Sequence, residues 1–129
     1  MRNKRSIGDR EMLLLQHIAE LKNATVAEVV AVFGESQGLA RSTVLTMMER
    51  LREKGYLDRK QVDGVYRYST VSGPVEVMRG AVESFVQTKL RGSVSPFVAW
   101  MSERGEVSDT ELAELEQLVG KLKSRRKES

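Results

Sequence analysis

Hydroxyls at Ser42, Thr43 and Thr46 and the guanidinium of Arg50 are the side chains whose types and spacing could do chemistry in this chain. Wound at 100° per residue, these positions gather into one helical stripe about 100° wide. The stripe reads as free of carboxylates. Short hydroxyls donate and accept hydrogen bonds, a threonine methyl can touch a thymine methyl, and a guanidinium binds phosphate or guanine. The set therefore suits the base edges and backbone of double-stranded DNA. Arg41 extends it at the start of the helix, and the Arg50, Arg52, Lys54 run reads as further nucleic-acid contact.

A helix must hold the stripe, and the apolar residues supply one. Val44, Met48 and Leu51 recur at i, i+4 and i+7 on the opposite side, with Met47 and Met48 expected in core packing. Gly55 follows as a stop signal. Leu57–Gln61 and Val65–Thr70 then alternate as two strands around Val62, Asp63 and Gly64, the signature of a hairpin. Its strands carry Arg59, Lys60 and Arg67. A recognition helix over 41–54 followed by a basic wing over 57–70 predicts a winged helix-turn-helix. Upstream, Asp9–Leu21 is a first helix with Leu14, Leu15, Ile18 and Leu21 on its apolar side. Lys22, Asn23 and Ala24 form a short connection, and Thr25 with Glu28 forms a capping box. The helix it opens carries Val26, Val29, Val30 and Phe33 on one face, and Gly34–Gly38 turns the chain into the recognition helix.

After Ser72, Gly73 and Pro74 the pattern becomes wholly helical. Val75–Leu90 is a longer helix, Pro96 opens a short one carrying Phe97, Val98, Trp100 and Met101, and Gly105 ends it. A second capping box, Ser108 to Glu111, opens the last helix, whose basic tail is expected to fray. Leu112, Leu115, Val119 and Leu122 follow the spacing of a helix–helix seam. With Phe85, Phe97 and Trp100 they form more apolar surface than a free arm would expose, so they predict a dimer interface. The expected fold is mainly α with a small β-hairpin wing. Residues 1–72 form a winged helix-turn-helix DNA-binding domain and residues 73–129 a helical dimerisation region.

Composition supports this frame and excludes others. With 129 residues, 40% hydrophobic and 30% charged, the chain has one small domain and an appendage. No apolar run can span a bilayer, so no membrane insertion is expected, and no signal-peptide pattern follows the basic N-terminus. There are no cysteines, which suits a cytoplasmic protein and removes thiolate chemistry. Residues 1–70 carry twelve Lys/Arg against nine Asp/Glu, whereas residues 71–129 carry nine of each. The positive excess thus lies with the DNA-binding region. His17 is the sole histidine and anchors no metal site, so no cofactor is expected. No nucleophile motif or phosphate loop is present, and catalysis is not expected.

These segments also carry a resemblance. I-G-D-R-E, A-T-V-A-E-V-V, S-T-V-L-T-M-M-E-R-L-R-E-K-G-Y-L, Y-R-Y-S, S-P-F-V-A-W-M and V-S-D-T-E-L-A-E-L resemble the penicillinase-repressor family of winged-helix regulators (the BlaI/MecI/CopY type) over nearly the whole chain. The resemblance implies a homodimeric repressor on palindromic operator DNA, with Ser42, Thr43 and Thr46 toward the major groove and Arg50 toward the backbone. It also implies a membrane sensor protease as partner, cutting an Asn-Phe bond in the short C-terminal helix. Here Ala99-Trp100 stands at that place, with Trp100 expected to be buried in the dimer core. Ala40 replaces the usual serine cap, and the wing tip lacks its usual basic residue, leaving Arg59, Lys60 or Arg67 to compensate. The cysteine-based copper mode is excluded. Two alternatives stay open: a protein-interaction module that does not bind DNA, and a DNA-binding regulator released by a small ligand.

Overall fold

The computed structural model describes residues 7–128, so Arg2, Lys4 and Arg5 lie outside it. Helix α1 (Asp9–Leu21) opens with Glu11 accepting a hydrogen bond from the Gly8 N–H at 3.0 Å. It buries Leu14, Leu15, Ile18 and Ala19, while Leu21 turns outward. The short connection expected after it contains a strand, β1 (Asn23–Ala24). Thr25 then caps α2 (Val26–Val29). Its Oγ1 accepts from the Glu28 N–H at 3.1 Å, and its own N–H donates to Glu28 Oε1 at 2.9 Å. This satisfies two of the free donors at the helix start. The helix runs on through a π-helical turn (Val30–Gly34) and a last turn, α3 (Glu35–Gln37).

Gly38 leaves that helix at φ +66°, a left-handed conformation suited to glycine, and the Leu39 N–H returns to the Gly34 carbonyl at 2.8 Å. A Cβ at buried Gly34 would sit 3.3 Å from the Leu39 oxygen and 3.4 Å from Val44 Cγ2. Glycine there lets the next helix, α4 (Arg41–Glu53), cross closely. Gly55 at φ +90° ends α4 and leads into β2 (Leu57–Val62) and β3 (Val65–Thr70). Asp63 (φ +52°) and Gly64 (φ +80°) form the two-residue turn, whose positive φ values match the right-handed strand twist. The antiparallel sheet has the order β1-β3-β2.

One core joins these elements: Leu14, Leu15, Ile18, Ala19, Ala24, Val29, Phe33, Val44, Met48, Leu51, Leu57, Tyr68 and Val77. Val77 belongs to α5 (Pro74–Ser84), which continues through a wider turn (Phe85–Lys89). By contacts the compact units divide between Phe85 and Val86, within this helix. Val77 is 6% exposed and belongs to the core of the first unit. The second unit contains α6 (Ser95–Arg104) and α7 (Asp109–Glu128). Ser108 and Glu111 exchange the expected capping bonds at 3.1 and 3.0 Å. Helix α7 runs through Arg125, Arg126 and Lys127, where cations complement the helix dipole.

Candidate nucleic-acid interface

Helix α4 has two unlike sides. Val44, Met48 and Leu51 are fully buried, and Met47 packs half-buried against them. Opposite, Ser42, Thr43, Thr46 and Arg50 are exposed, as is Arg41 in the first turn. Ala40 occupies the N-cap in extended conformation and offers no side-chain bond. The expectation of a carboxylate-free stripe is corrected on one point. Because α4 runs to Glu53, that exposed carboxylate falls in the same sector as Ser42, and Glu49 borders it. The hydroxyl end of the stripe is clear of acid, whereas its C-terminal end is not.

Glu49 ties the helix to the wing. Its carboxylate accepts from Arg52 Nη2 at 2.7 Å and from Arg59 Nη1 at 2.9 Å, and the Tyr68 hydroxyl donates to the same group. The hydrogen bond from Arg52 is the strongest influence. Together with the Tyr68 bond and the charges of Arg52 and Arg59, it outweighs partial burial and holds the carboxyl down at about 2. Burial, followed by the Glu49 carboxylate, pushes the Tyr68 phenol up. Arg59 also lies over the Tyr66 ring, 4.0 Å from its centre.

The three basic wing residues do not share one surface. Strand alternation, with Arg59 opposite Tyr68 and Lys60 opposite Arg67, sends Arg59 toward α4 and the other two to the reverse face. There Arg67 donates to Asn23 Oδ1 at 2.8 Å and to Glu28 at 3.3 and 3.4 Å. Lys60 is exposed and enters no salt bridge among the described residues. The Arg50, Arg52, Lys54 run divides likewise. Arg52 is held by Glu49, Lys54 Nζ reaches Glu11 at 3.2 Å, and Arg50 projects outward. Of the eight residues expected to meet DNA, six (Arg41, Ser42, Thr43, Thr46, Arg50 and Lys60) are presented openly. Arg59 and Arg67 are already engaged by carboxylates.

A cleft of about 500 Å³ lies between the start of α2, α4 and the wing. Arg41, Leu45 and Glu49 line it from α4 at one-turn spacing, and Arg59, Val65, Tyr66 and Tyr68 line it from the hairpin. Sequence reasoning missed Glu49 and Tyr68 as parts of this cleft, and Glu28 as the partner of Arg67 on the reverse face. The i, i+3 spacing of Glu49 and Arg52 was a visible clue to the first of them.

In the second unit the residues expected at a dimer interface carry apolar surface outward. Phe97 is 41% and Trp100 52% exposed in the single chain, with ring centres 5.9 Å apart. Leu112, Val119 and Leu122 are exposed and Leu115 is half-buried; Phe85, exposed too, closes the first unit. Ala99-Trp100 falls in the middle of α6.

A family model described as Penicillinase repressor matches residues 7–121. The methicillin resistance regulatory protein MecI of Staphylococcus aureus is 22% identical over 115 residues, which is 89% of this chain and 94% of that protein. The Penicillinase repressor of Bacillus licheniformis is 25% identical over 122 residues, 95% of each chain. The transcriptional regulator BlaI of Mycobacterium tuberculosis is 28% identical over 117 residues, 85% of each. Among solved structures, the DNA binding domain of the repressor BlaI aligns with a TM-score of 0.50 at 24% identity, covering 56% of this chain and 88% of that one. A mutant of MarR from E. coli complexed with operator DNA aligns with a TM-score of 0.53 at 18% identity, covering 91% and 76%. These likenesses establish a winged-helix fold. No helix among the described residues is long and apolar enough to cross a membrane.

Proposed function

The chain belongs to the penicillinase repressor family, and on that premise we propose that it is a homodimeric transcriptional repressor reading palindromic operator DNA through α4. The observation that carries this reading is the two-sidedness of α4. Val44, Met48 and Leu51 anchor it in the core, leaving Ser42, Thr43 and Thr46 exposed on the opposite side. A helix anchored along one side can enter a major groove about 12 Å wide without losing its packing. Thr43 and Thr46 then reach base edges, each with a hydroxyl for hydrogen bonding and a methyl for thymine contact. Arg41 and Arg50, at the margins of the helix surface, and Lys60, exposed on the wing, meet phosphates and set the register.

The exposed Phe97, Trp100, Leu112, Val119 and Leu122 support self-association of the second unit, because water disfavours so much apolar surface. Two-fold symmetry would present two copies of α4, and a palindrome is the matching DNA arrangement. Occupying a promoter in this way blocks transcription without any catalytic step.

Fluorescence anisotropy with a labelled duplex from the chain's own promoter region tests the reading. Binding should exceed that to a scrambled duplex by about 10³-fold or more. Equal affinity for both duplexes would remove the operator-binding assignment.

A further inference from the structure

Two wing arginines that could meet phosphate are occupied by carboxylates from the helix-turn-helix itself. Arg59 Nη1 lies 2.9 Å from Glu49 on α4, and Arg67 lies 3.3 Å from Glu28 on α2. Glu49 lines the cleft between α4 and the wing, as do Arg41 and Tyr66, so this pairing lies beside the helix that the proposed reading places on DNA. Carboxylate and phosphate bind a guanidinium in the same planar, charge-assisted way and therefore compete for it. Any duplex offers phosphate, whatever its sequence.

We propose that Glu49 is a specificity-determining residue that occupies Arg59 as an internal phosphate mimic and so suppresses sequence-independent DNA binding. The inference rests on the DNA-binding reading above. Non-specific affinity comes almost entirely from phosphate neutralisation, and each cation withheld removes about 0.9 from the salt slope. Base contacts from Thr43 and Thr46 do not depend on Arg59, so withholding it weakens random binding without removing sequence readout. Glu49 is suited to this because it holds two guanidiniums and a phenol at once. Its hydrogen bond from Arg52, on the same helix, fixes the carboxylate where Arg59 reaches it. Glu49 thus acts through Arg59 and is a positioning residue, not a base reader.

The test compares the full chain with Glu49→Gln, Arg59→Ala and the double variant. Binding to a random duplex is measured by anisotropy across a salt series, with circular dichroism verifying the fold. Glu49→Gln should tighten random binding by roughly tenfold near 0.1 M salt and steepen the salt slope by about 0.9. Arg59→Ala alone should leave the slope unchanged, because that charge is already withheld. In the Glu49→Gln background the same change should lower the slope by about 0.9. If Glu49→Gln is folded but binds more weakly with an unchanged slope, Glu49 is merely structural and the proposal is overturned. If Glu49→Gln does not fold, Arg59→Ala decides: a slope reduced by about 0.9 shows that Arg59 already meets phosphate, which also overturns it. Failure of the wild-type chain to bind any duplex at low salt would instead overturn the DNA-binding reading, and this inference with it.

Discussion

Replacing Glu49 by Gln should cost stability at neutral pH and nothing at strongly acid pH. The variant keeps the size and shape of the side chain but removes the charge that Arg52, Arg59 and Tyr68 converge on. The carboxyl falls from an ordinary 4.5 to about 2 in the folded chain, and at about 1.36 kcal/mol per pH unit that is at most about 3 kcal/mol. Solvent reaches this side chain, which is 27% exposed, and screening reduces the figure to about 1–2 kcal/mol. Because the folded pKa lies below the unfolded one, the contribution is complete above about 4.5 and disappears as pH falls toward 2. Glu11 and Glu28 are also held below the ordinary range, but they are common to both chains and cancel in the difference. Urea unfolding should be followed by far-UV circular dichroism, since the lone tryptophan, Trp100, lies in the second unit. At pH 7 the variant should unfold at lower urea, and the two curves should converge near pH 2. A gap of the same size at both pH values would refute the electrostatic account, as would no gap at pH 7.

Lys60→Ala should lower the salt slope of DNA binding by about 0.9, whereas Arg67→Ala, already neutralised by Glu28, should change it much less. Equal reductions in an anisotropy salt series would show that the Arg67 ion pair opens on DNA. Leu112→Asp with Leu122→Asp should leave the first unit folded and convert a dimer into a monomer by light scattering at tens of micromolar. An unchanged mass would move the interface elsewhere, and a monomeric wild-type chain would remove it. Ala99-Trp100 lies mid-helix in α6 and is not the Asn-Phe pair that the family resemblance implied, so the chain should stay intact when mixed with membranes from induced cells. Fragments split at that bond by mass spectrometry would establish proteolytic release.

The framework of this surface was legible because local rules determine it. Val44, Met48 and Leu51 have no helical arrangement other than a shared face, and Asp63-Gly64 selects a turn with positive φ at both positions. The Thr25 and Ser108 capping boxes form for the same local reason. Strand β1 was not legible: two residues have no period, and it exists only through pairing with Ser69 and Tyr68. Nor could the sequence show that Arg59 and Arg67 are occupied, since their acidic partners come from other elements. Glu53 lies within the stripe because eleven residues at 100° each bring it about 20° from Ser42. Val77 illustrates a further limit, as the Gly73-Pro74 break marks a change of element without ending the core.

Thr43→Ala is the most direct test of the claim that α4 reads operator DNA by its exposed hydroxyls. Equilibrium anisotropy at one fixed salt concentration would compare the variant and wild type on promoter and scrambled duplexes. The prediction is a loss of about 1–3 kcal/mol on the promoter duplex with scrambled binding nearly unchanged. Equal losses on both duplexes, or none on either, would contradict it.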